Sequence, residues 1–270
     1  MNRKGITLIE LMVALVIVSI LIAGIYRTFA SQQHTYTVQE QVSDMQQNVR
    51  LAINRMTREL RMAGYGRMDA TFFGADGVHG IYKHVVNPGG SGTVTVVGGY
   101  RLAATLSANA LTGTKTIQVN MASGMDLAKR QYVSLNGLES HRIKKITGNQ
   151  IEFYGSLTND HTAGEPIFLI MAITYSLGNV DGKPVLLRDE NLGEGPQAVA
   201  ENIESLRFRY VMNTGETLEV VPNARLDDIR MIEVTLVART DQTDPELAKV
   251  GDGFRRRTLV SNIQLRNLAM

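Results

Sequence analysis

Lys4-Gly5-Ile6-Thr7-Leu8-Ile9-Glu10 opens an apolar run that continues to Tyr26. Residues 6–26 suffice to cross a bilayer as a helix, because about 20 apolar residues rising ~1.5 Å each span the hydrocarbon core. The run carries one acid, Glu10, near its start. An ionised carboxylate at mid-membrane costs roughly 2.5 to 3.5 kcal/mol, less near the interface, so Glu10 requires a positive partner at the level of Ile6. No side chain within 6–26 supplies one. A cut between Gly5 and Ile6 would create one, an α-amino group one helical turn from the acid. Arg3 and Lys4 precede the run, which keeps the short N-terminal end cytoplasmic and sends the bulk of the chain across. Two other readings stay open. An uncleaved signal anchor would have no need of Glu10. A secretory signal peptide cut near Thr28-Phe29-Ala30 would have an overlong apolar core and leave the acid unexplained.

The basic leader, Gly5, and the stretch Ile6-Thr7-Leu8-Ile9-Glu10-Leu11-Met12-Val13 resemble the class III signal of type IV pilins and type II secretion pseudopilins. That resemblance implies cleavage after Gly5 by a prepilin peptidase and N-methylation of Ile6, which stands where phenylalanine is commonest. It also implies that Glu10 pairs with the terminal amine of a neighbouring subunit during assembly.

Beyond Arg27 the chain turns polar without a break. Val38, Val42, Met45, Val49, Ile53, Met56, Leu60 and Ala63 recur at steps of three and four, the helical period. No proline interrupts residues 6–63, and Gly64 with Gly66 forms a natural stop. The spacing predicts one helix of roughly 85 to 90 Å. Its apolar stripe fits a face laid on a globular head, and equally a coiled-coil seam.

Arg55, Arg58, Glu59 and Arg61 read either as a solvated helix face, with an Arg55/Glu59 pair contributing only tenths of a kcal/mol, or as a docking face. The segment Arg55-Met56-Thr57-Arg58-Glu59-Leu60-Arg61-Met62-Ala63-Gly64-Tyr65 resembles the end of the stem helix in the PilW group of minor pilins.

From Thr71 onward short alternating runs are separated by Gly, Asn, Asp and Pro. Strands are predicted at 93–97, 115–119, 132–135, 142–146, 151–154, 167–177, 184–187, 206–212, 217–221, 229–238 and 258–265. Turn signals stand at Asn136-Gly137, Gly148-Asn149, Asp181-Gly182 and Asn213-Thr214-Gly215. Residues 105–170 resemble a small β-module found inserted in surface and phage-associated proteins, on Gly113-Thr114-Lys115-Thr116-Ile117-Gln118-Val119 and Ile146-Thr147-Gly148-Asn149-Gln150-Ile151. The later strands, with Leu206-Arg207-Phe208-Arg209-Tyr210 and Ile232-Glu233-Val234-Thr235-Leu236, are similar to PilW-like and pseudopilin-J-like C-terminal domains.

At 270 residues and 44% hydrophobic content the chain has room for a substantial core, and it contains no cysteine, so packing rather than disulfides must hold it. Loss of Arg3 and Lys4 with the leader leaves 26 basic residues facing 26 acidic ones, which argues against broad nucleic-acid binding. No enzyme signature stands out: there is no Gly-x-Ser-x-Gly elbow, no His-Glu-x-x-His pair and no phosphate loop. Five histidines are scattered, with only His79 and His84 near one another. Asp241, Asp244 and Glu246 are candidates to line a calcium loop, as in related pseudopilins, although their spacing fails the EF-hand pattern and Pro245 favours a plain turn. Arg255-Arg256-Arg257 is the densest basic cluster, a solvated surface or a contact for DNA or an acidic partner.

The expected fold class is α+β, a long N-terminal stem helix packed on an antiparallel β-sheet head with a β-rich insertion. The expected organisation is a cleaved leader at 1–5, the transmembrane half of the stem at 6–26, its amphipathic half at 27–64, a loop and first strand at 65–104, the inserted module at 105–170 and a pilin-like sheet domain at 171–270. The resemblance implies a non-enzymatic minor pilin of a type IV pilus priming or tip complex, with no cofactor. It would be held in the inner membrane with a periplasmic head before assembly, and would meet the prepilin peptidase, other minor pilins, the major pilin and the assembly platform. A J-like minor pseudopilin of a type II secretion system and a membrane-anchored adhesive or ligand-binding domain remain the alternatives.

Overall fold

The computed structural model describes residues 8–66, 78, 81–90, 92–125, 127–128 and 131–268. Gly5 and Ile6, with the rest of the expected leader and His79, lie outside those residues.

Helix α1, Leu8–Arg61, runs for 54 residues. On the predicted stripe Met45, Val49, Ile53, Met56, Leu60 and Ala63 are buried, while Val38 and Val42 are partly so. The helix ends at the glycine stop. Gly64 (φ 78°) and Gly66 (φ 120°) adopt the left-handed backbone that only glycine takes without strain.

The chain divides into two compact units, Met1–Gln46 with Thr240–Arg255, and Gln47–Arg239 with Arg256–Met270. In the first, helix residues 8–37 are exposed on every side. Its loop segment is held by Gln41 Nε2, which donates to Gln242 Oε1 at 3.3 Å, and by His34 Nε2, 3.5 Å from Asp244 Oδ1.

In the second unit a nine-stranded antiparallel sheet has the order β1-β2-β3-β6-β5-β4-β7-β8-β9. Its strands are β1 (Val86–Pro88), β2 (Val94–Leu106), β3 (Thr116–Met121), β4 (Tyr132–Leu135), β5 (Glu139–Thr147), β6 (Gln150–Phe153), β7 (Pro166–Val180), β8 (Lys183–Asp189) and β9 (Gln197–Glu201). A second sheet, in the order β11-β10-β12-β13, contains β10 (Ile203–Met212), β11 (Thr217–Leu218), β12 (Ile229–Arg239) and β13 (Arg256–Gln264). Hairpins turn at all four expected places, Asn136-Gly137, Gly148-Asn149, Asp181-Gly182 and Asn213-Thr214-Gly215. Asn136-Gly137 (φ 48° and 71°) and Asp181-Gly182 (φ 52° and 81°) both have the positive φ pair of a type I′ turn. Strands β1 and β9 were not anticipated. The run expected at 217–221 contracts to two residues of strand before the 3-10 turn Asn223–Asp228.

β2 also pairs directly with β7, from Val94 opposite Tyr175 to Thr105 opposite Pro166. This closes β2-β3-β6-β5-β4-β7 into an antiparallel barrel. Its core includes Ile117, Val119, Val133, Leu135, Ile143, Ile151, Phe153, Ile167 and Leu169. Both boundaries expected for the inserted module, 104/105 and 170/171, therefore fall inside continuous strands. β2 and β7 each lend one half to the barrel and the other half to the sheet beside α1. A closed barrel has no exposed edges.

The end of α1 joins that sheet through its backbone. The Gly64 N–H donates to Val97 O at 2.9 Å and the Gly99 N–H to Tyr65 O at 3.0 Å. A Cβ on Gly98 would stand 2.5 Å from the Met62 carbonyl oxygen, so the close approach of helix end and strand requires glycine there. In the second sheet Leu206, Phe208 and Tyr210 of β10 and Ile232, Val234 and Leu236 of β12 are buried on one face, alternating with less buried neighbours.

Candidate functional site

The first candidate surface is the start of α1. Leu8, Ile9, Leu11, Met12 and their successors through Phe29 are exposed, on a helix long and apolar enough to cross a membrane by length and composition. The hydroxyls within it are satisfied internally: Ser19 Oγ donates to Leu15 O at 2.7 Å and Thr28 Oγ1 to Gly24 O at 3.0 Å. Such back-bonding lets a polar side chain sit on an apolar helix without an unmet donor. Glu10 lies on this exposed apolar part of α1.

The arginine-rich segment is split by the fold. Arg55, Arg58 and Arg61 are exposed, with Arg55 Nε 3.6 Å from Glu59 Oε1. Glu59 instead turns to the sheet. Its carboxylate accepts from the Tyr175 hydroxyl at 2.6 Å and from Arg188 Nε at 2.9 Å. Arg188 donates onward to Glu190 at 2.7 Å, and Glu190 also accepts from Arg101 at 2.9 Å. Burial alone would favour a neutral Arg188, but its bonds to Glu59 and Glu190 outweigh that and hold its pKa above the ordinary value. Burial, then the Glu59 charge, pushes the Tyr175 hydroxyl up. Of the four residues expected on one face, the arginines remain available at the surface and the acid is part of the joint between helix and head.

A second polar cluster closes one end of the barrel. His161 is buried with both ring nitrogens facing carboxylates, Nε2 at 2.8 Å from Glu139 Oε1 and Nδ1 at 2.7 Å from Glu165 Oε2. Glu139 Oε2 lies 2.7 Å from His141 Nε2 and accepts from the backbone N–H and hydroxyl of Thr158, both at 2.8 Å. Oε1 also accepts the Asn159 N–H at 3.0 Å. Burial works against the charged form of Glu139, yet the bonds from Thr158, His141 and His161 prevail and lower its pKa to about 2. The distances are those of direct hydrogen bonds, and no group of residues suited to a metal ion occurs among the described residues. The arrangement fastens the 157–165 segment to β5.

Asp244, one of the acids considered for calcium, directs its carboxylate to Arg255 Nη2 at 2.6 Å and its other oxygen to the Glu246 N–H at 2.9 Å. Arg256 donates to both oxygens of Glu204, at 2.5 and 2.8 Å. Two of the three clustered arginines therefore have carboxylate partners, and Arg257 is exposed.

Residues 1–26 match the prokaryotic N-terminal methylation motif. The match covers Gly5, Ile6 and Glu10 together. No curated protein matches the chain. Among solved structures, a type IV-like pilin from Thermus thermophilus is similar at 14% identity with a TM-score of 0.37, over 83% of this chain and 97% of that one.

The pairing of His141 and His161 through Glu139 escaped the sequence reading, which found only His79 and His84 near one another. The available signal was Glu139-x-His141 with His161-x-x-x-Glu165. Each histidine stands close in sequence to an acid, but only the pairing of β4 with β5 and the return of the chain at 157–165 bring the two pairs together.

Proposed function

We propose that this chain is a membrane-anchored, non-catalytic subunit of a type IV pilus, of the minor pilin type and in the PilW group. The observation that carries this reading is the methylation motif at residues 1–26, of which 8–26 open a 54-residue helix that ends on a β-rich head. The prepilin peptidase would cut between Gly5 and Ile6, and Ile6 would be N-methylated. The segment 6–26 would hold the chain in the inner membrane until assembly with other pilins. An unpaired charge is costly wherever the stem has an apolar surrounding, in lipid or among packed stems, and pairing Glu10 with the amine of a neighbouring Ile6 would neutralise both. The exposed Arg55, Arg58 and Arg61 would offer neighbouring subunits a basic contact.

The test is N-terminal sequencing and intact mass of membrane-extracted protein from cells with and without the prepilin peptidase. The expected mature chain begins at Ile6, is about 14 Da heavier than its unmodified sequence, and appears only with the peptidase. A chain still beginning at Met1, or one beginning near Ser31, overturns the reading.

A further inference from the structure

Four strands form the edges of the two sheets, and three of them are blunted. β1 is three residues long and ends in Pro88. β9 is five residues long, follows Pro196, ends in Glu201 and meets β8 through a register shift at Leu186/Leu187. β11 has two residues. Short length, proline, charge and bulges are the usual means by which folded proteins stop an edge from pairing further. β13 lacks them over most of its length. It pairs with β12 through nine consecutive positions without a register shift. From Thr258 to Gln264 it contains no charge, proline or glycine.

The ladder also fixes which groups face outward. Thr240 N–H donates to Arg255 O and Leu265 N–H to Arg230 O, so the odd-numbered residues of β13 exchange backbone bonds with β12. The N–H and C=O groups of Thr258, Val260, Asn262 and Gln264 therefore point away from β12, and no other strand pairs with β13 among the described residues. Those same four side chains are exposed, Val260 by 54%.

We propose that β13 is an interface at which two copies of this chain join edge to edge, antiparallel, with Val260 opposite Val260 of the second copy. In that register every outward N–H meets an outward C=O, because even-numbered residues fall opposite even-numbered residues. Charge selects the register. Arg256 falls opposite Gln264 and Arg257 opposite Ile263, so the basic ends of the two strands lie apart, whereas pairing centred on Arg256 or Arg257 would oppose like charges. The pairing is isologous and consumes both open edges, so it closes at two copies. It concerns the head alone and does not depend on the proposed processing or pilus role.

The natural absence of cysteine makes the test direct. Full-length Val260→Cys is oxidised in isolated membranes with copper-phenanthroline and compared with Thr235→Cys, the neighbour of Val260 on β12. Facing Cα atoms in a hydrogen-bonded antiparallel pair lie about 5.5 Å apart, within disulfide reach, whereas residues one strand further back on each side lie roughly 14 Å apart, beyond it. Expected are a disulfide dimer for Val260→Cys at least tenfold faster than for Thr235→Cys, and a mixed dimer when Thr258→Cys and Asn262→Cys are co-expressed. Val260→Pro added to Asn262→Cys in that mixture removes no bond to β12 and should abolish the mixed dimer while the circular dichroism spectrum stays that of the folded chain. Equal rates for Val260→Cys and Thr235→Cys overturn the proposal. So does protection of the Val260→Cys thiol from alkylation without dimer formation, which would mean that another protein occupies the edge.

Discussion

Glu59, near the end of α1, and Arg188, in β8, are 129 residues apart in sequence and share a bond in which Arg188 Nε lies 2.9 and 3.0 Å from the two carboxylate oxygens. The arginine side chain is 8% exposed and the glutamate 16%, so neither can turn to water if the other is removed. Breaking such a pair from one side typically costs about 3 to 5 kcal/mol, because a buried charge is left behind. Arg188→Ala in the full chain should therefore lower unfolding free energy by about 3 kcal/mol in urea titrations in detergent. The Glu59→Ala, Arg188→Ala double variant should lose clearly less than the sum of the two single losses. Additive losses would show that the two residues act separately.

Glu139 gives the head a defined acid response. Its carboxyl titrates at about 2 in the folded chain, against roughly 4.3 for an unfolded glutamate. The depressed value means that ionised Glu139 contributes stability above pH ~4, and that the contribution is lost as pH falls from there through about 2. Glu165, lowered through its bonds to His161 and Thr162 in spite of burial, acts in the same direction. Melting temperatures of the parent and Glu139→Gln, followed by circular dichroism from about pH 7 to 2, should differ most near neutral pH and converge below pH ~4. A gap that does not change with pH would rule out the ionised carboxylate as its source.

Tyr210 places its hydroxyl in the buried face of the second sheet, where it has no hydrogen-bond partner among the described residues. Burial also pushes its ionisation up. An unmet buried hydroxyl costs about 1 to 3 kcal/mol, and phenylalanine keeps the ring while removing it. Tyr210→Phe is expected to leave stability unchanged or raise it by about 1 kcal/mol, read from the same urea titrations. A loss above about 1 kcal/mol would mean that the hydroxyl is satisfied after all.

Under the proposed pilus role, Glu10→Ala should leave the cut after Gly5 intact, since the acid stands beyond the scissile bond, and should weaken incorporation into filaments severalfold. Immunoblots of sheared pili against whole-cell extracts measure both. Normal incorporation would remove the charge-pairing role from Glu10.

What could be read along the chain was what depends on near neighbours. The apolar run with its single acid, the three-and-four stripe from Met45 to Ala63, the stop at Gly64 and Gly66, and the hairpins at Asn136-Gly137 and Asp181-Gly182 are each written within a few residues, because helix period and turn dihedrals are local properties. Strand alternation likewise gave most strands but missed β1 and β9, which are short and carry Asn87, Pro88, Gln197 and Glu201 among few apolar residues. The tertiary structure alone decided which strands meet. β2 and β7 are buried on both faces over much of their length, so neither carries a period that names its partner, and their pairing turns an apparent insertion into a closed barrel. The same holds for side chains. Glu59 satisfies an i,i+4 helix pair equally well facing water or sheet, and the joining of Glu139 with His161 depends on where a returning loop lands. Burial and long-range pairing settle those choices, because the cost of an unpaired buried charge falls on contacts that no local stretch of sequence contains.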